Sequence, residues 1–128
     1  MCNLLLDSDI IIDHLRKYSP AKDYLQKVFS GEKGFAVSVI TEAEVLSGKG
    51  LDDNNRKSLV IQLLDHFTKI TVSSEIAQLA GEFKRKYEMR LMDAMIAATA
   101  IRHDLRLITR NIRHYRCVPN LQVEKPYE

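Results

Sequence analysis

The sequence predicts an α/β fold, a three-layer α/β/α sandwich on a parallel sheet, from three observations. Short apolar runs alternate along the chain with stretches whose apolar residues recur at helical spacing. Strands separated by helices pair in parallel through right-handed crossovers. The 128 residues suit one hydrophobic core and no linker divides them, so residues 1–128 are read as a single domain.

The elements follow in order. Asn3 to Asp7 (NLLLD) is an apolar run without helical gaps, the length of a buried strand. Ile10 to Leu15 reads as a short helix. Ser19-Pro20 predicts a helix start, with Ser19 as N-cap and Pro20 at the first helical position. Ala21, Tyr24, Leu25, Val28 and Phe29 then form one helical face, which Gly31 and Gly34 terminate. Phe35 to Ser38 (FAVS) is a second strand. Thr41 to Leu46 is helical up to Gly48. Asp52 to Asn55 is a loop and a cap, and Leu59, Leu63, Leu64 and Phe67 mark the next helix. Lys69 to Val72 (KITV) is a third strand, rich in β-branched residues. Ser73 and Ser74 can cap a helix with an inner face of Ile76, Leu79, Ala80, Phe83 and Tyr87. Met92 to Arg102 is a helix whose alanines permit close packing on a sheet. Arg106 to Thr109 (RLIT) is a fourth strand, Asn111 to Arg116 a turn or short helix, and Leu121 to Glu124 an edge strand.

Composition narrows the class. Hydrophobic residues make up 45 % and charged residues 28 %, an ordinary globular balance. The net charge is only +2, so attraction to a charged partner must come from local clusters. Cys2 and Cys117 lie near opposite ends and do not form a disulfide framework; both read as free thiols in a reducing cytoplasm. The first residues lack a basic region and Asp7 interrupts their apolar run, unlike a secretory signal. No run is long enough to span a bilayer, so a cytoplasmic setting without membrane is expected.

Three carboxylates stand at the ends of elements. Asp7 closes the first strand, and in an open α/β sheet ligands bind beyond the carboxyl ends of strands. The competing reading is that Asp7 or Ser8 merely caps the next helix. Thr41 and Glu44 have capping-box spacing. Glu42 is a rival that points about 200° away on the same helix, and spacing does not choose between the two. Asp93 opens a helix, where the dipole favours an acid whatever the function, yet that helix is otherwise apolar and suited to burial. Three acids from distant segments can converge on a hard cation such as Mg²⁺ or Mn²⁺. His14, His66, His103 and His114 lack zinc-type spacing, and no nucleophile triad is visible.

A basic segment follows. Arg102, Arg106, Arg110, Arg113 and Arg116 are grouped with only Asp104 among them, and Lys84, Arg85, Lys86 and Arg90 precede the Asp93 helix. Such clusters attract a phosphodiester backbone, and they equally form solvated faces paired with surface acids.

These segments together resemble the PIN-domain family, in particular VapC-type toxins of bacterial toxin–antitoxin pairs, over almost the whole chain. LLLDSDIIID is similar to the opening strand and first acid, at Asp7. SVITEAEVLSG is similar to the second block, and its pattern points to Glu44 rather than Glu42. RLMDAMIAATAI is similar to the third block, with its acid at Asp93. LITRNIRHY followed by VPNLQV is similar to the closing block, with Thr109 and Asn111 at matching places. The resemblance implies a five-stranded parallel sheet in order 3-2-1-4-5. It implies Asp7, Glu44, Asp93 and Asn111 around Mg²⁺ or Mn²⁺, with RNA as substrate. Ser8, Asp9 and Thr109 would support the site, and Arg110 and Arg113 would steer the RNA backbone. A cognate antitoxin and a homodimer are also implied. Many relatives carry a fourth acid where Asn111 or His114 stands, and neither is acidic here.

Two functions from different classes therefore stand. One is a metal-dependent endoribonuclease, the toxin of a toxin–antitoxin pair. The other is a catalytically weak RNA-binding or regulatory domain on the same scaffold, suggested by the missing fourth acid. Asp7-Ser8-Asp9 also mimics the D-x-D of aspartyl-phosphate hydrolases, but no downstream Gly-Asp-x-x-x-Asp pattern accompanies it.

Overall fold

The computed structural model describes residues 3–31 and 34–128. Strand β1 (Leu4–Leu6) leads into helix α1 (Ser8–Leu15), and α2 (Ser19–Phe29) follows. Strand β2 (Phe35–Ser38) passes directly into α3 (Val39–Leu46). A 3-10 turn (Lys49–Asp52) precedes α4 (Asn54–Leu64). Strand β3 (Thr68–Ile70) is followed by the helical pair α5 (Ser74–Tyr87) and α6 (Leu91–Arg102). Strand β4 (Arg106–Ile108), a 3-10 turn (Ile112–His114) and β5 (Val123–Glu124) complete the order. All four strand pairings are parallel, in the order β3-β2-β1-β4-β5. The expected sheet is the observed one.

The sheet separates two apolar layers, because alternate residues of a strand point to opposite faces. Leu5, Ala36 and Leu107 pack with Ile76, Ala80, Ile96 and Ala97 of α5 and α6. Leu6, Val37 and Ile108 pack on the other face with Ile10, Ile11, Leu25, Val45 and Leu64. Strand β1 lies between β2 and β4, so the chain leaves it in opposite directions. The crevice at such a reversal opens beyond the strand ends, where Asp7 and Thr109 follow β1 and β4.

Several local expectations are corrected. Helix α2 is capped at Tyr18 without a side-chain bond; Ser19 is its first residue, and Pro20 sits in the first turn, whose N–H groups have no helical partner. Ser38, not Thr41, caps α3, accepting the Ile40 N–H at 3.0 Å. Thr41 is consequently inside the helix and buried, and the Thr41–Glu44 spacing is no capping box. Leu59 is 66 % exposed; the inner face of α4 is Val60, Leu63 and Leu64, continued by Phe67 in the turn beyond the helix. Those four residues keep the one-face spacing of a helix, and Leu59 falls one step outside it. The third strand runs Thr68–Ile70 rather than from Lys69 to Val72, and forms a sheet edge. Among the described residues, no helix is long and apolar enough to cross a membrane.

Candidate active site

Asp7 is the centre of the site. It caps α1, with Oδ1 accepting the Ser8 N–H at 2.8 Å. Its Oδ2 accepts from the Thr109 and Tyr115 hydroxyls, each at 2.9 Å. The residue is 6 % exposed. Burial raises its carboxyl above the ordinary range; the Ser8, Thr109 and Tyr115 hydrogen bonds oppose that rise, and the Asp93 charge adds to it. The helix-capping reading and the site reading of Asp7 therefore describe the same rotamer.

Asp93 is the third residue of α6, and its Oδ1 lies 3.4 Å from the Tyr115 hydroxyl. Tyr115 thus spans Asp7 and Asp93, and its own ring is fully buried. Burial, followed by the Asp7 and Asp93 charges, holds its phenol neutral and donating. Glu44 is half-buried on α3, and the nearby Ser8 hydroxyl favours its charged form. Burial raises its carboxyl first, the Asp7 charge second; Asp93 adds to the rise and Arg90 opposes it. Glu42 faces elsewhere and pairs with Lys69 at 2.9 Å. Helix geometry thus separates the two glutamates that spacing left open.

A second acid stands behind Asp7. Asp9 Oδ2 accepts the Arg110 N–H at 2.8 Å and lies 3.3 Å from both Thr109 Oγ1 and Asn111 Nδ2. Its Oδ1 is buried without a hydrogen-bond partner among the described residues. Burial first, then the Asp7 charge, push its carboxyl up to about 6. Asn111 packs on Asp9 and is itself exposed. His114 Nδ1 lies 3.6 Å from Asp93 Oδ2, so His114 faces the site with a ring nitrogen.

The arginines divide by partner. Arg102 pairs with Glu75, and Arg106 with Glu124 at 3.3 Å. Arg110 Nη1 donates to Asp13 Oδ2 at 2.7 Å. Arg90, Arg113 and Arg116 are exposed and form no salt bridge among the described residues. Sequence reasoning missed Tyr115, Asp13 and Tyr127. Tyr115 carried one signal, as the sole aromatic in an arginine-rich segment.

The PIN domain family matches residues 4–118. The chain belongs to the PIN-domain family. This PIN domain is of the VapC type: it is 36 % identical over 118 residues to Ribonuclease VapC10 of Mycobacterium tuberculosis, covering 88 % of this chain and 85 % of that one. It is 32 % identical over 126 residues to Ribonuclease VapC19 of the same organism, covering 92 % and 96 %. It superposes on a chain of the toxin–antitoxin complex from Klebsiella pneumoniae with a TM-score of 0.81 and 33 % identity, over 98 % of each chain.

Proposed function

We propose that this PIN domain is a divalent-metal-dependent endoribonuclease, the toxin of a VapBC-type pair, with Asp7, Glu44 and Asp93 as its catalytic carboxylates. One observation carries the reading. Acids at the cap of α1, on α3 and on α6 lie near enough to influence one another electrostatically, which supports a shared role. The names of the mycobacterial relatives and the Klebsiella complex support ribonuclease activity and an antitoxin partner. A homodimer and a cytoplasmic setting complete the proposal.

The residues fit a hard cation. Their donors are carboxylate oxygens, which suit Mg²⁺ or Mn²⁺. Burial and neighbouring acids raise the Asp7 and Glu44 carboxyls, and a neutralising charge offsets that crowding. Among the described residues no three acids, histidines or cysteines are grouped closely enough to hold an ion by themselves, so waters would have to complete its coordination. Asp7 and Asp93 would hold it. Asn111 turns its Nδ2 to Asp9, so its amide oxygen is the end it offers. When bound, the cation offsets the carboxylate charge and stabilises charge developing on the phosphate. Glu44, beside Ser8, orients the attacking water and takes its proton. Thr109 and Tyr115 fix Asp7, and Asp9 anchors the Arg110 backbone. Arg113 attracts the RNA backbone, and Arg110, held by Asp13, contributes a fixed charge.

The test is cleavage of a structured RNA pool with Mn²⁺, with EDTA, and by Asp93→Asn. Cutting needs both the ion and Asp93, with a loss of roughly a hundredfold or more in the variant, as for other groups that stabilise a transition state. Cutting that survives EDTA or Asp93→Asn overturns the proposal. Asn111 in place of an acid favours one second reading, a regulatory RNA-binding domain. That reading predicts salt-sensitive RNA binding, without cutting, that survives Asp93→Asn and needs no metal.

A further inference from the structure

Helix α5 ends where Glu88 adopts a left-handed φ of 53°, and the reversal sends Met89 into the core and Arg90 to the cap of α6. Between this turn and the segment from Arg113 to Cys117 lies a cleft of about 340 Å³. Asp93 lines it, so it opens into the mouth of the site. Tyr87, partly buried with its ring packed on Phe83, lines it together with Arg90, Arg113 and His114, and Glu88 is the other acid. A second cleft of about 380 Å³ shares Arg113 and His114; Arg110, Arg116 and Lys125 also line it, and no acid does. The two clefts form one basic track that ends at Asp93.

We propose that the cleft at the α5–α6 turn is a nucleotide subsite, which seats one unpaired nucleotide beside the scissile phosphate. Its base rests against Tyr87 and its phosphate meets Arg113 and Arg90. This rests on the ribonuclease reading above. Three features select this ligand. The volume is at the small end of ligand clefts, which run from about 300 to 1,000 Å³. An aromatic ring beside exposed guanidinium groups is the pairing that binds single-stranded nucleic acid by stacking and charge. A base inside a helix cannot reach such a ring, whereas a splayed one can.

Cys117 provides the readout, since its free thiol is exposed and lines the same cleft. The experiment uses an Asp7→Asn chain, so that RNA remains intact, and a short unpaired RNA oligonucleotide of mixed sequence. Alkylation by N-ethylmaleimide is followed by peptide mass spectrometry, which separates Cys117 from Cys2. The oligonucleotide slows Cys117 alkylation severalfold, a duplex of the same length does not, and Arg113→Ala removes the protection. Tyr87→Leu, which keeps an apolar side chain against Phe83, weakens oligonucleotide binding roughly tenfold. RNA that binds while Cys117 reacts at its free rate overturns the subsite, as does equal protection by the duplex. Failure of the wild-type chain to cut or bind any RNA overturns both the subsite and the ribonuclease reading, so the two failures are distinct.

Discussion

Asp7 receives hydrogen bonds from Ser8, Thr109 and Tyr115 while almost fully buried, so its orientation is set before any ligand arrives. The Tyr115 contact is a hydroxyl donating to a buried carboxylate, among the stronger kinds of hydrogen bond. Tyr115→Phe keeps the ring that fills the core and removes only that donor. It is expected to lower stability by about 1–2 kcal/mol in urea unfolding with EDTA present; no loss would mean that Thr109 and Ser8 suffice. Asp9 supplies a pH prediction. Its carboxyl is raised from 3.8 in the reference state to about 6 by burial, then by the Asp7 charge. Between those values the native chain binds a proton that the unfolded chain lacks, so this contribution to stability is full below the lower value and is lost as pH rises through the upper one. The contribution is on the order of 2 kcal/mol. In EDTA, wild type should lose more stability than Asp9→Asn between pH 4 and pH 7; parallel curves would exclude the effect.

At the scale of elements, α3 decides which glutamate enters the site. Its start is fixed by Ser38, which is fully buried and caps the Ile40 N–H. From that start Glu44 meets Ser8, and Glu42 turns to Lys69 at the sheet edge. Glu42→Gln should therefore leave RNA cleavage unchanged within about twofold, because a partly exposed ion pair contributes little. Glu44→Gln should abolish cleavage on the same substrate. Equal losses in both variants would refute the assignment of faces. Ser38→Ala should cost about 1 kcal/mol of stability, the usual value for a lost N-cap, measured by chemical denaturation.

Across the whole molecule, the last residues fasten the first helix to the mouth of the sheet. Asp13 Oδ2 accepts from Arg110 at 2.7 Å and from the Tyr127 hydroxyl at 2.8 Å. Tyr127 also packs against Tyr18 and Tyr24, with ring centroids 5.7 and 6.4 Å away. Asp13 is 8 % exposed, so its partners are needed to stabilise its charge. This strap holds the Thr109–Asn111 segment that bonds to Asp7 and Asp9. Asp13→Asn should lower stability by about 1–3 kcal/mol, as for hydrogen bonds to a charged group. It should also speed amide exchange at Arg110, whose N–H is bonded to Asp9. Unchanged exchange there would show that the strap and the mouth are independent.

The sequence by itself determined the alternation of strands and helices and the apolar faces of α2 and α5, because periodicity within a segment needs no partner. It also marked Asp7, Asp93 and the arginine-rich segment, since each stands at an element boundary or in a local cluster. Spacing predicted a cap at Ser19, which failed where the helix began one residue earlier, and it marked the α4 helix by Leu59 without showing that this side chain faces solvent. Only the tertiary structure decided which arginines are paired, where Glu42 points, and that Tyr115 lies between Asp7 and Asp93. The physical reason is distance along the chain. Thr109 and Tyr115 bond to Asp7 across 102 and 108 residues. Such pairings depend on how strands β1 and β4 are placed side by side and on the rotation of each helix against the sheet, which no local spacing encodes.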